Sequence, residues 1–388
     1  MVAITLDGIT VRYSERSDGA GRSVDALDDL SLDVASGELL VLSGPSGSGK
    51  TTVLRTIAGL ERPVRGVVRL DGRVVNDLPP GARDVALVTQ FDSLFPHLTV
   101  EQNLAFALEV RKLPADETTR RVRAEARVLG LWSKLGRRPR ELSNGERQKA
   151  ALGRATTRRP GVYLLDEPLA GLDAGERDHL RRELHRLQRG LGVTTVYVTH
   201  DQRDAMALGD RIAVLDRGRL VQIAEPLALY RLPANLFVAR FFGSPPMGLI
   251  RGRLHDDGST AWVDAGGVPL RLLPAQRAAV AAAGHSETVV VGVRAAAVQI
   301  GHGPLQEWAR HLDLVVRSVE TLGAYTVVAL TPPTQTGVTA DRLYTTVPPA
   351  HGPVVGERCA VTIDMRHSFI FDAGTGQRLS TLLDSYAQ

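Results

Sequence analysis

The chain has 388 residues, 43% hydrophobic and 23% charged, with a formal net charge of +4, so two folded domains are expected and disorder is excluded. The one cysteine, Cys359, rules out an internal disulfide and any cysteine-based metal site, and the basic residues, nearly all arginine, are spread too evenly for a nucleic-acid surface. No apolar run approaches the ~18 residues that cross a bilayer, and Asp7, Arg12 and Glu15 arrive too early for a secretory signal, so a cytoplasmic protein is expected.

Residues 2–13 alternate apolar and polar, with Val2, Ile4 and Leu6 followed by Ile9, Val11 and Tyr13, which predicts a pair of edge strands. A Gly/Ser/Asp/Arg-rich loop runs from Ser14 to Ser23, and a second alternating strand spans Leu27 to Val34. Glu38 to Leu42 is a short buried strand. Thr52 to Ala58 has helical character, and Val67 to Val75 is a hairpin turning at Asp71-Gly72. Val85 to Thr89 is a buried strand that ends at Gln90. From Val100 to about Thr157 the pattern is helical and arginine-rich, broken at Pro114, Gly130 and Pro139. Val162 to Leu165 is continuously apolar, as a central parallel strand should be. Leu180, Leu184, Leu187 and Leu191 mark one face of a helix, and strands follow at Thr194 to Thr199 and Ile212 to Leu215. Composition changes at Gly243 to Gly248, which reads as a turn-rich linker. Beyond it helical periodicity largely disappears, and β-like runs at 288–293, 312–319, 326–330 and 360–363 fit a small barrel of the oligonucleotide/oligosaccharide-binding (OB) type.

Gly44-Pro45-Ser46-Gly47-Ser48-Gly49-Lys50-Thr51-Thr52 fits the phosphate-binding loop G-x-x-x-x-G-K-[ST], with a strand before it and a helix after it. Glycines let successive N–H groups converge on phosphate oxygens, and the helix N-terminus adds positive dipole. Lys50 is expected to reach the β and γ phosphates and Thr51 to ligate Mg²⁺, so the chain binds a nucleoside triphosphate. Leu164-Leu165-Asp166-Glu167 closes a buried strand with two acids whose side chains should diverge by strand alternation. Asp166 suits the Mg²⁺ side, and Glu167 suits the orientation and deprotonation of an attacking water.

Tyr13, Gly44 to Thr52, Gln90, Leu142-Ser143-Asn144-Gly145-Glu146, Asp166-Glu167-Pro168, Leu172-Asp173 and Thr199-His200-Asp201 occur in the order of an ABC-transporter ATPase domain, which residues 1–242 resemble. Residues 233–239 and 243–247 resemble the junction in importer ATPases of the maltose-transporter type. Gly292-Val293-Arg294, Val319 to Gly323 and Phe369 to Asp372 resemble that family's C-terminal regulatory domain. The resemblance implies an α/β ATPase domain over 1–242, with a mixed sheet core and a helical subdomain at about 91–157. An all-β regulatory and dimerisation domain would then occupy 243–388.

It also implies roles by position. Tyr13 would stack on adenine, and Ser46, Gly47, Ser48, Gly49, Lys50, Thr51 and Thr52 would cradle the phosphates. Gln90 would touch Mg²⁺ or the attacking water and sense a membrane subunit through Phe91 to Thr99. His200 would contact the γ-phosphate and hold Glu167 in line. Ser143 and Gly145, with Asp173, would complete the site across a homodimer. The implied function is ATP hydrolysis at the cytoplasmic face of the membrane, driving two permease subunits fed by a solute-binding protein. The cargo would be a carbohydrate or glycerol phosphate. ATPases of sulfate, polyamine and iron importers share the plan, and a nucleotide-dependent regulator that scarcely hydrolyses is the other reading.

The sequence departs from the family at the signature, which usually reads Leu-Ser-Gly-Gly-Gln. Asn144 is expected to tolerate left-handed backbone as glycine does. Glu146 brings negative charge toward the triphosphate, for Arg147 or Arg154 to offset. The usual serine before Leu172-Asp173 is replaced by Ala170-Gly171, and Ala295-Ala296 follow Arg294 where the family has Pro-Glu.

Overall fold

The computed structural model describes residues 2–14, 23–89, 94–266, 268–283, 287–301, 308–333 and 339–379. The chain divides into two compact units, Met1–Pro226 and Leu227–Gln388. The first begins with β1 (Ile4–Ser14), β2 (Ser23–Val34), β3 (Leu39–Ser43), α1 (Lys50–Ala58), β4 (Arg65–Leu70), β5 (Arg73–Val74) and β6 (Val85–Val88). Three helices follow, α2 (Val100–Val110), α3 (Ala115–Val128) and α4 (Asn144–Thr156). The unit ends with β7 (Val162–Asp166), α5 (Ala174–Leu191), β8 (Thr194–Val198), α6 (Gln202–Leu208), β9 (Arg211–Asp216) and β10 (Arg219–Ala224).

One sheet runs β2-β1-β4-β5 and is antiparallel. The other runs β10-β9-β3-β8-β7-β6, parallel except for the β10–β9 pair. Residues 4–14 are therefore one strand with partners on both sides, not a pair of edge strands. The apolar phase changes from Ile4 and Leu6 to Ile9 and Val11 at a register shift containing Gly8, at φ 61. A β-bulge keeps both apolar sets on the buried face, where simple alternation would have sent one to solvent. Every residue of β3, β7 and β8 is buried, as strands covered on both faces require.

Helices α2, α3 and α4 close their own apolar cluster, which includes Val100, Leu104, Leu108, Val122, Ala126 and Leu142. On α5, Leu180 and Leu184 are buried and Leu187 packs against this helical cluster, but Leu191 is 39% exposed, so the expected face ends one turn early.

The second unit holds α7 (Pro226–Arg231), α8 (Leu236–Phe241), β11 (Gly248–Asp256), β12 (Ala261–Asp264), β13 (Pro269–Arg271), α9 (Pro274–Ala282), β14 (Thr288–Val293) and β15 (Val298–Ile300). Then come β16 (Ala309–Thr321), β17 (Thr326–Thr331), β18 (Thr339–Ala340), β19 (Leu343–Val347), β20 (Arg358–Asp364) and β21 (Ser368–Asp372). Its sheets run β13-β12-β11-β14-β21, with β18 beside β11, and β15-β20-β16-β17-β19. The four β-like runs fall within β14, β16, β17 and β20, and α9 is a helix that the sequence reading did not anticipate.

The division between units precedes the boundary expected at 242/243. Buried Arg294 donates to the carbonyls of Tyr230 and Ala239, both at 3.0 Å, and to that of Phe242, so residues 230–242 are bonded into the second unit. Its guanidinium lies over the Tyr230 ring at 4.2 Å, and burial pulls its pKa down to about 10.

Helix α1 carries the phosphate loop on its N-terminus and is fastened at its other end. Gly59 closes it at φ 81, and buried Arg83 donates to the carbonyls of Thr56 at 2.9 Å, Ile57 at 3.1 Å and Leu78 at 2.9 Å. The Ile57 carbonyl lies in the last turn, where no intrahelical donor reaches it, while the Thr56 carbonyl also accepts from the Gly59 N–H at 3.2 Å. Arg83→Met should leave the Ile57 and Leu78 carbonyls without this donor, at about 1–3 kcal/mol per buried group. The expected result is a melting midpoint lowered by roughly 5–10 °C in the nucleotide-free protein, read by calorimetry.

Candidate functional site

The loop from Gly44 to Lys50 leaves buried β3 and turns into α1 through three left-handed or otherwise glycine-favouring residues, Gly44 at φ 152, Gly47 at φ 77 and Gly49 at φ 101. Gly44 also has no room for a side chain, since a Cβ would fall 2.2 Å from the Leu215 carbonyl oxygen. Lys50 folds back under the loop. Its Nζ donates to the carbonyls of Gly44 at 2.9 Å and Pro45 at 2.7 Å and to Ser48 Oγ at 3.4 Å. Burial holds its pKa below the usual lysine value, opposed by attraction to Glu167 and Asp166.

Above the loop lies an open cavity of about 550 Å³, lined by Ala26, residues 46–52, Glu167 and His200. Thr51 Oγ1 donates to Asp166 Oδ1 at 3.2 Å, and His200 Nδ1 lies 2.9 Å from Glu167 Oε1. The two acids do diverge, but alternation is only part of the reason. Glu167 lies beyond the end of β7 at φ 48, a left-handed conformation unusual outside glycine, with its N–H bonded to the Val198 carbonyl at 3.1 Å. That turn swings its carboxylate away from Thr51 and onto His200.

The residue after His200 is anchored. Asp201 caps α6 by accepting from the N–H of Arg203 at 2.7 Å and Asp204 at 3.2 Å. Arg177 of α5 bridges Asp201 at 3.1 Å and Asp204 at 2.6 Å. Asp173 caps α5 and accepts from the Glu176 N–H at 2.9 Å.

Tyr13 is 38% exposed at the end of β1. Its hydroxyl sits with Thr52 and Glu61, and burial raises its pKa. Ser143, Gly145 and Asp173 do not line the cavity within one chain. Gln90 and the adjoining Phe91, Asp92 and Ser93 lie outside the described residues. Sequence reading missed Ala26, which no short motif flags.

At the signature, Asn144 is the first residue of α4 and is not among the residues of positive φ, so left-handed tolerance is not called on there. Neither expected arginine offsets Glu146. Arg147 donates to Asn144 Oδ1 and to the carbonyls of Pro139 and Leu142, and Arg154 stacks on Phe95 at 5.1 Å. The cation beside Glu146 is Lys134, at 3.0 Å. A Cβ at Gly145 would fall 2.8 Å from the carboxylate of the exposed Glu176, which would have to swing aside.

The described residues contain no cluster of three or more His, Cys, Asp or Glu that could hold a metal unaided. Thr51 Oγ1 and Asp166 Oδ1 are nonetheless hard oxygens side by side at the cavity edge. That pair fits Mg²⁺, which takes one or two protein oxygens and fills its octahedron with phosphate and water.

Burial, helped by repulsion from Glu167, raises the pKa of Asp166 and outweighs the Thr51 hydrogen bond and the attraction of Arg55 and Lys50. A carboxyl with a raised folded pKa binds its proton more tightly folded than unfolded, so its charge costs stability as pH rises past its ordinary range. Asp166→Asn should therefore raise the unfolding midpoint of the nucleotide-free protein at pH 7. The gain should vanish near pH 4, which thermal melts across pH would read.

The ABC transporter family matches residues 27–170, and the MalK OB fold domain matches residues 243–298. The trehalose/maltose import ATP-binding protein MalK of Thermococcus litoralis is 44% identical over 371 residues, covering 92% of this chain and 96% of that protein. The sn-glycerol-3-phosphate import ATP-binding protein UgpC of Chromohalobacter salexigens is 42% identical over 375 residues, covering 96% and 95%. Among solved structures, the dimeric ATP-binding cassette MJ0796 in a post-hydrolysis state with ADP and phosphate aligns with a TM-score of 0.52 at 29% identity. It covers 57% of this chain and 98% of that one. MalK and UgpC thus match this chain over nearly its whole length, and the cassette MJ0796 over 57% of it. The chain belongs to the ABC-transporter ATP-binding family, in the branch that carries a MalK-type OB domain.

Proposed function

We propose that this chain is the ATP-hydrolysing subunit of an importer, works as a homodimer at the cytoplasmic face of the membrane, and carries carbohydrate or glycerol phosphate through separate permease subunits. The observation that carries the reading is the single cavity joining Lys50, Thr51, Glu167 and His200, with Asp166 bonded to Thr51 at its edge. Resemblance to MalK and UgpC proteins over nearly the whole chain supports the cargo class.

In this reading ATP lies with its phosphates over residues 46–52 and its adenine against Tyr13. The loop N–H groups and Lys50 bind the β and γ phosphates. Thr51 and Asp166 hold Mg²⁺, whose charge offsets that of the phosphates. Glu167 accepts a proton from the attacking water. With Glu167 ionised, His200 Nδ1–H donates to Oε1, which fixes the carboxylate's direction and leaves the other imidazole edge toward the γ-phosphate. Gln90 would, by family resemblance, touch Mg²⁺ or the attacking water. Ser143 and Gly145 of one protomer cap the γ-phosphate of its partner, and Asp173 lies in that interface.

An apolar groove of about 240 Å³ supports docking of a membrane subunit. It is lined by β6, Phe95, Phe106 and the α4 residues Ala151, Arg154 and Ala155. Phe106 is 38% exposed there. The groove adjoins the segment expected to sense the permease, and no helix among the described residues is long and apolar enough to cross a membrane itself.

Steady-state ATPase activity tests this, with the chain alone and with its permease subunits in vesicles. Turnover should rise with the permeases, and Glu167→Gln should lower kcat by about 10²–10⁴-fold while ATP binding persists. Normal turnover in Glu167→Gln would remove the proposed base. ATP binding without turnover in either setting would favour the regulator, for which the altered signature is the specific observation.

A further inference from the structure

We propose that Lys134 is a positioning residue for hydrolysis: by neutralising Glu146, it lets the Ser143 turn approach a partner's triphosphate. This rests on the dimeric ATPase reading above. The signature turn is a closed circuit of hydrogen bonds. Ser143 Oγ accepts from the Glu146 N–H at 3.2 Å, and Glu146 Oε2 accepts from the Ser143 N–H at 2.9 Å, a reciprocal capping box. That arrangement commits one carboxylate oxygen, and Lys134 Nζ meets the other, Oε1, at 3.0 Å. Both side chains are only 26% exposed. The Ser143 N–H and then Lys134 hold the Glu146 carboxyl below its usual range, with Arg137 adding weaker attraction.

The geometry holds Lys134 in place independently of Glu146. Its single helical turn (Trp132–Lys134) leads into Leu135, which packs against the helical cluster. The carbonyls of Leu135 and Arg137 accept from the first N–H groups of α2, Glu101 at 3.0 Å and Val100 at 2.8 Å. The lysine therefore arrives on a braced segment.

The charge balance explains why it matters. In the separate chain an acid in the first turn of α4 is favourable, because it faces the positive end of the helix. On closure the same acid faces phosphates, while Glu176 lies close to Gly145. As water leaves that interface, uncompensated negative charge becomes more costly. Lys134 supplies the compensation that a neutral glutamine would not need.

A double-mutant cycle tests this with the full chain and its permease subunits. Lys134→Met should lower kcat by about tenfold through coupling to Glu146. The affinity of the isolated protomer for ATP should be unchanged, because its own phosphate loop is untouched. In a Glu146→Gln background the same lysine change should cost nothing, and Lys134→Arg should retain activity. ATP-driven dimerisation in a Glu167→Gln background, followed by light scattering, reads closure without turnover and should weaken with Lys134→Met. An equal loss in both Glu146 backgrounds, or no loss in either, would overturn the proposal and make Lys134 a packing residue. A starting chain that neither hydrolyses nor dimerises on ATP would instead overturn the proposed function, and this inference with it.

Discussion

The first unit depends on a lysine that has been taken out of water and given oxygens. An ammonium so placed must find partners for its donors, and Lys50 finds them in the carbonyls of Gly44 and Pro45 and the hydroxyl of Ser48. The same bonds hold the loop open in a ring around the ammonium, so the site is shaped before any anion arrives. That shape is possible only because a strand with no exposed residue delivers the loop and glycines let it turn against Leu215. Arg83 performs the complementary service at the far end of α1. A buried guanidinium and a buried ammonium thus brace one nine-residue helix from opposite ends.

The acids opposite the loop separate their tasks by backbone geometry. Asp166 is the last residue of a fully buried strand and stays with Thr51, whereas Glu167 turns left-handed and pairs with His200. A left-handed glutamate is a strained choice, and the bond from its N–H to Val198 helps to hold it there. Asp201, the residue after His200, is fixed as the cap of α6 and bridged by Arg177, so the backbone that carries His200 is anchored to α6 and α5.

The second unit uses one buried arginine in a similar way. Among the described residues no carboxylate pairs with Arg294; carbonyls from Tyr230, Ala239 and Phe242 and the face of the Tyr230 ring take that place. Such an arrangement ties α7 and α8 to the end of β14. Residues 230–242, which the sequence resemblance assigned to the ATPase domain, are consequently bonded into the second unit.

Local chemistry was enough for the sequence to determine the phosphate loop, the acid pair, the central parallel strands, the helical insertion and the change to a strand-rich unit, though not its helix α9. Each is written in residues close together in the chain: glycine spacing, apolar runs, and prolines at helix boundaries. Tertiary structure decided what depends on distant partners. The phase change at Gly8 is a bulge rather than a turn because both neighbouring strands hold residues 4–14 in one sheet. Asn144 needs no left-handed backbone because Ser143 already caps the helix. Glu146 is offset by Lys134, twelve positions earlier, rather than by the nearby arginines, because the start of α2 holds the lysine's segment against the signature while those arginines are spent on carbonyls, an amide and a ring. Sequence proximity sets which bonds a turn can make, but only packing sets which charges meet.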